Sequence, residues 1–324
     1  MGARRTCFPD MVGTTRMRSA LILSMLVSLL CAAACEAPEP TTYQLYFLGG
    51  QSNMEGFGFN DELPDEYQVT SPDVMIFRGQ MALDNAPHGG VGVWQSLTPG
   101  FGTGFQTDGE TVHLSERFGP ELLFGQTMAQ QAPGAKIAIV KYALGGSGLA
   151  DGVGYGNWHP DFSDGAGINQ YDFALKTLRN ASQDMDIDGD GVPDRLVPSG
   201  IVWMQGEADA FDSQAAADDY RANIERLMNL LRAAMRVDDL PVVIGKITDS
   251  GMADDGSVMD YIETVQAAQQ DFVNDDPCAA YVTVTDELGY LDDAWHYDTD
   301  GFVRLGAAFA EAMIELEARC AHSD

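Results

Sequence analysis

Apolar runs bounded by turn residues recur along the chain: YQLYFLGG from 43, VMIF from 74, KIAIVKYAL from 136, GIVWMQG from 200, PVVIGKIT from 241 and YVTVTD from 281. Several are apolar on both faces, as strands of a parallel sheet covered on two sides must be. Helical periodicity falls between them, near 117–132, 168–183, 213–236, 257–274 and 301–319. The alternation predicts an α/β fold, a doubly wound three-layer αβα sandwich around a central parallel sheet. Two glycine-rich stretches, 79–115 and 145–167, break this rhythm, and loops of that length inside a compact domain usually serve function. There is no internal repeat and no sign of a second domain.

The first 34 residues read differently. Arg16 and Arg18 precede the apolar run LILSMLVSLL and then CAAAC, the layout of an export signal. At ~10 residues the run falls short of the ~20 that a spanning helix needs. Cys35 after three alanines resembles the lipidation site of bacterial lipoproteins, with plain secretion as the alternative and either Met1 or Met17 as the start. Residues 35–42 then form a Pro/Glu tether, and residues 43–324 the folded domain. The expected location is outside the cytoplasm, either anchored in a bacterial membrane by the lipid or secreted.

The formal charge is −31. Such a surface excludes nucleic-acid and anionic-lipid binding, which need a basic patch, and leaves the N-terminal lipid as the only expected membrane contact. Of the five cysteines, Cys278 and Cys320 remain once the signal and Cys35 are set aside. In an oxidising compartment they read as a disulfide fastening the last helix.

In an open parallel sheet, ligands bind beyond the carboxyl ends of the strands. Ser52 follows the first strand, GGSG at 145–148 follows the strand from 136, and QGEAD at 205–209 follows the strand from 200. Ser52 needs a base to become a nucleophile. His296, in DDAWH, has Asp293 three residues before it, so the aspartate can hold the ring's tautomer. His113 has only Glu110 at that spacing, His88 and His159 have no such acid, and His322 is in the tail.

GQSNM at 50–54, FGPEL at 118–122, KYALGGSGL at 141–149, WMQGEAD at 203–209 and DDAWH at 292–296 occur in the order of the sialate O-acetylesterase-like group, which the chain resembles over roughly residues 43–315. That group includes carbohydrate esterase family six and belongs to the SGNH hydrolase superfamily, with a flavodoxin-like fold. The resemblance implies a carbohydrate O-acetylesterase: Ser52 as nucleophile, His296 as general base, Asp293 as its partner, and no cofactor for catalysis. It also implies an oxyanion hole from the backbone of Ser52 and of Gly146, with Gly145 a one-residue alternative. The superfamily's Gly-x-Asn-Asp motif is missing, and Gln205 of the Gln-Gly-Glu stretch takes the place of its asparagine as the expected third donor.

Other residues carry plainer readings. Glu207 and Asp209 suit helix capping or buried hydrogen bonding, Glu121 beside Pro120 suits a helix start, and Asn53 either shapes the nucleophile turn or satisfies its own backbone. Trp94 and Trp158 either stack on sugars or cover the core. DIDGDGVPD at 186–194 puts Asp186, Asp188, Asp190 and Asp194 at positions 1, 3, 5 and 9 of a calcium loop. Val197 stands where the usual bidentate glutamate would be, and an acidic surface turn is the alternative. The leading function is removal of O-acetyl groups from acetylated polysaccharide, such as acetylated xylan, or from sialic acid. The alternatives are an acetylated-glycan-binding lipoprotein without turnover, and an esterase or acyltransferase acting on another small acyl ester.

Overall fold

The computed structural model describes residues 39–83, 86–162 and 169–320. The export signal, Cys35, most of the tether and His322 therefore lie outside the described residues. Seven strands form one sheet: β1 (Thr42–Gly50), β2 (Ser71–Arg78), β3 (Trp94–Leu97), β4 (Lys136–Ala143), β5 (Arg195–Met204), β6 (Val242–Gly245) and β7 (Ala279–Val282). Their order is β7-β6-β5-β1-β4-β2-β3, and every pairing is parallel except β2 with β3.

The sheet is flanked by helices, as the continuous apolar runs require. The principal helices are α1 (Ser52–Glu55), α2 (Glu121–Gln131), α3 (Gln170–Gln183), α4 (Glu207–Asp212), α5 (Gln214–Met235), α6 (Ile262–Asp275) and α7 (Thr299–Cys320). Tyr46 of β1 meets Phe124 of α2 edge-on at 5.3 Å and donates its hydroxyl to Glu317 of α7, which places α2 and α7 on one face. Trp203 of β5 packs on Trp158, Trp158 on Tyr142 of β4, and Tyr142 on Phe173 of α3, which places α3 on the other. From Leu45 to Gly50 every residue of β1 is buried, and Tyr46, Phe47 and Leu48 are fully so.

Three differences from the sequence reading have local causes. The glycine-rich stretch contains β3, only four residues long, whose Trp94 packs edge-on against Phe77 at 5.4 Å. Arg117 and Phe118 are not helical; they pair antiparallel with Gly58 and Phe59, so α2 starts at Glu121. A short helix, α4, precedes the predicted one, and Ser213 separates the two by accepting the Ala216 N–H as the cap of α5.

The site depends most on register. Gly50 lies beside Ala143 on one side and Met204 on the other. Three adjacent central strands thus end level, and the segments beginning at Gln51, Leu144 and Gln205 leave the sheet side by side.

Candidate active site

At the end of β1 the chain passes so near β5 that a Cβ on Gly50 would lie 1.9 Å from the Met204 carbonyl oxygen, and φ there is 148°. Only glycine tolerates both. The Gln51 N–H then donates to that carbonyl at 2.9 Å, and one turn of helix carries Ser52 at its first position. The Gln51 side-chain oxygen accepts the Gly206 and Ala208 N–H groups, which ties the Ser52 turn to the start of α4.

Asp293 organises the opposite wall. One carboxylate oxygen accepts the N–H groups of Trp295 and His296, both at 3.0 Å, and the other meets His296 Nδ1 at 2.6 Å. Ala294 between them takes the left-handed conformation, φ 67°, a mild strain of the kind that collects at functional sites. Burial raises the Asp293 pKa, but the His296 bond and the two N–H groups outweigh it and leave the carboxyl below its ordinary value. With Nδ1 engaged, Nε2 is the nitrogen left for chemistry. The Phe57 ring lies flat on the imidazole, 3.6 Å between centroids and 4° from parallel, so the imidazole is held by its edge and its face. Asn53 bridges the two walls: its amide donates to Glu207 at 2.8 Å and to the Trp295 carbonyl at 3.1 Å, and its oxygen accepts the Tyr297 N–H. Ser52 and His296 line the same cavity, of about 610 Å³.

Gly145 and Gly146 differ in their hydrogen bonds. The Gly145 N–H donates to the Glu55 carboxylate at 2.8 Å. Among the described residues the N–H groups of Ser52 and Gly146 have no acceptor, and both residues line the cavity. Gln205 corrects the expectation. It is fully buried, its amide nitrogen donates to the Ser147 carbonyl and to Asp209 at 2.6 Å, and it does not reach the cavity. Asp209 also accepts the N–H groups of Leu149 and Ala150. The two side chains therefore fasten the 145–150 loop to α4 and leave no donor for an oxyanion. Burial raises the Asp209 pKa to about 6 and the Glu207 pKa to about 7.

A buried charge cluster that the sequence reading missed supports this floor. Lys141 is fully buried and donates to the Glu121 carboxylate at 2.5 Å, to the Glu55 carbonyl and to the Phe101 carbonyl. Arg78, also buried, stands 3.6 Å from the Glu55 carboxylate. Glu121 thus does more than start α2: it pairs with Lys141 and accepts the Gly119 N–H. The available signal was the presence of two cations, Arg78 directly after VMIF in β2 and Lys141 after IAIV in β4, each following an apolar run.

The remaining candidates lie apart. Asp186, Asp188 and Asp194 bring oxygens within 4.8 Å of one another, and Asp190 stays outside that group. Asp194 spends its oxygens on the Thr41 and Ile187 N–H groups, and Asp186 accepts the Gly191 N–H. Trp94 and Trp158 are core residues, 6% and 0% exposed, with their indole N–H groups bonded inside the protein. Cys278, just before β7, and Cys320, at the end of α7, form a disulfide with Cα atoms 5.9 Å apart.

A family model described as carbohydrate esterase, sialic acid-specific acetylesterase matches residues 42–315. Among solved structures the chain is similar to a protein from Arabidopsis thaliana, at 21% identity and TM-score 0.58 over 86% of this chain and 99% of that one. It is also similar to a carbohydrate acetylesterase from Xanthomonas citri, at 17% and 0.59 over 85% and 56%. A third likeness is to NanS, at 14% and 0.54 over 89% and 100%. At these identities the structural likenesses speak for the fold. No curated protein matches the chain. The family match takes in the whole sheet and every motif of the site, and the chain belongs to the sialic acid-specific acetylesterase family of carbohydrate esterases.

Proposed function

We propose that this carbohydrate esterase releases acetate from O-acetylated sugars through an acyl-enzyme on Ser52. The observation that carries the reading is the joint placement of Ser52 and an Asp293-oriented His296 on one cavity. His296 takes the Ser52 hydroxyl proton through Nε2 as the oxygen attacks the ester carbonyl. Negative charge gathers on the carbonyl oxygen and is met by the N–H groups of Ser52 and Gly146; losing one donor of this kind typically costs ~100-fold to ~1000-fold in rate. Collapse expels the sugar alkoxide, which takes the proton back from His296. Water then attacks the acetyl-serine by the same route, giving acetate and the free hydroxyl.

The reaction so written calls for no metal or organic cofactor, so a chelator leaves turnover unchanged. Ser52→Ala removes the attacking oxygen while leaving the backbone donors. Release of acetate or of p-nitrophenol from an acetyl ester is expected to fall at least ~1000-fold, with the folded structure kept by circular dichroism. A folded variant that retains wild-type turnover overturns the reading. The further proposal that the chain is exported and held by a lipid on Cys35 rests on residues 1–35 alone.

A further inference from the structure

Resting on the esterase reading above, we infer that the sugar this cavity takes is uncharged, so that the substrate is a neutral O-acetylated glycan and not an anionic sialic acid. Binding a sugar carboxylate calls for an arginine or lysine at the site. Among the described residues that line the cavity there is neither, and Asp212 is one of them. The sequence makes the same statement without reference to any side-chain position. Residues 51–70 after β1, 144–169 after β4, 205–213 after β5 and 283–298 after β7 contain no Lys or Arg. Lys246, the one cation in 246–261 after β6, donates to both carboxylate oxygens of Asp286 and does not line the cavity. The two cations beneath the site cannot serve, because Lys141 and Arg78 are fully buried and face Glu121 and Glu55. Arg117, next to the wall formed by Phe57, donates to the Phe57 carbonyl and stacks over the Phe59 ring.

What the cavity offers in place of a cation is aromatic surface. Tyr155 is 86% exposed and Phe211 58%, the two aromatic residues among the most exposed large apolar side chains, and both line it. Trp295 holds Phe211 edge-on at 5.3 Å. Exposed apolar surface gathered at a cleft marks a ligand groove, and flat rings present a partner to the C–H faces of a pyranose, whatever its linkage. A carboxylated sugar would lose solvation there and face Asp212 and the field of a chain with formal charge −31.

The test isolates charge from shape. The full chain is assayed on p-nitrophenyl acetate, acetylated xylo-oligosaccharides, 9-O-acetyl-N-acetylneuraminic acid and the methyl ester of that same acid. The expected result is a kcat/KM for the methyl ester about tenfold or more above that of the free acid at low salt. Added NaCl should close this gap by raising only the free acid's value. Tyr155→Ala and Phe211→Ala should each raise KM for the oligosaccharide about tenfold. Equal or better turnover of the free acid at low salt overturns the inference. Failure on all four esters, p-nitrophenyl acetate included, instead overturns the esterase reading on which it rests.

Discussion

A carboxylate that accepts two backbone N–H groups with one oxygen and an imidazole N–H with the other fixes the place and the tautomer of the base together. Asp293→Asn would keep much of the first role and lose the second, since an amide can present its N–H to Nδ1 and leave the proton on Nε2. We expect kcat for an acetyl ester to drop ~100-fold to ~10,000-fold with KM little changed; a loss confined to KM would mean that Asp293 acts on substrate binding. Glu207 gives a prediction about stability. Burial raises its pKa from 4.5 to about 7, so the folded chain holds a proton that the unfolded chain releases between those values. The stabilisation is complete below pH ~4.5 and is lost as pH rises through ~7. Glu207→Gln, which mimics the protonated acid and can still accept from Asn53, should flatten the fall in denaturation midpoint between pH 5 and pH 8. Its advantage at pH 8 is bounded by about 3 kcal/mol. Parallel pH profiles for the two proteins would remove Glu207 as the cause.

At the scale of elements, the strand ends were legible because parallel strands buried on both faces leave unbroken apolar runs, and those of β1, β4 and β5 stop at glycine or polar residues. The Asp293 and His296 pair was legible because its partners are three residues apart. The fate of Gln205 was not, since it turns on Asp209 and Ser147 competing for the same amide, and that competition exists only once α4 and the 145–150 loop have met. Glu55 holding the Gly145 N–H, and Lys141 holding Glu121, were hidden for the same reason: each joins residues at least 20 positions apart. The disulfide is a case where elimination among the cysteines and folded geometry coincide. It closes a separation of 42 residues and pins the end of α7 beside β7, while the candidate site lies at the carboxyl ends of β1, β4 and β5. Cys278→Ser with Cys320→Ser should therefore lower stability by about 4 kcal/mol, a melting shift of roughly 8–16 °C for a domain of this size, with kcat at 25 °C unchanged. Coincident melting curves for the two proteins would show that the crosslink constrains nothing the fold does not already hold.

At the scale of the whole molecule, the same charge distribution that strips cations from the catalytic rim also strains the folded state. Forty-nine acidic residues face eighteen basic ones, and two of those cations, Arg78 and Lys141, are buried in pairs that salt does not reach. Exposed pairs such as Lys136 with Asp73 and Arg304 with Glu287 exist, but each contributes at most about 1 kcal/mol and weakens with salt. Most surface carboxylates must therefore find their neighbours to be other carboxylates, and bringing them together on folding is unfavourable. Raising NaCl from 0.1 M to 1 M shortens the screening length from ~10 Å to ~3 Å, which relieves the many repulsions more than it weakens the few attractions. The melting temperature should rise by several degrees over that range in NaCl, and rise less in sucrose of equal osmolality, which is excluded from the surface without screening it. A melting temperature that falls with NaCl would mean that the exposed ion pairs, and not the surplus of carboxylates, dominate the surface electrostatics of this fold.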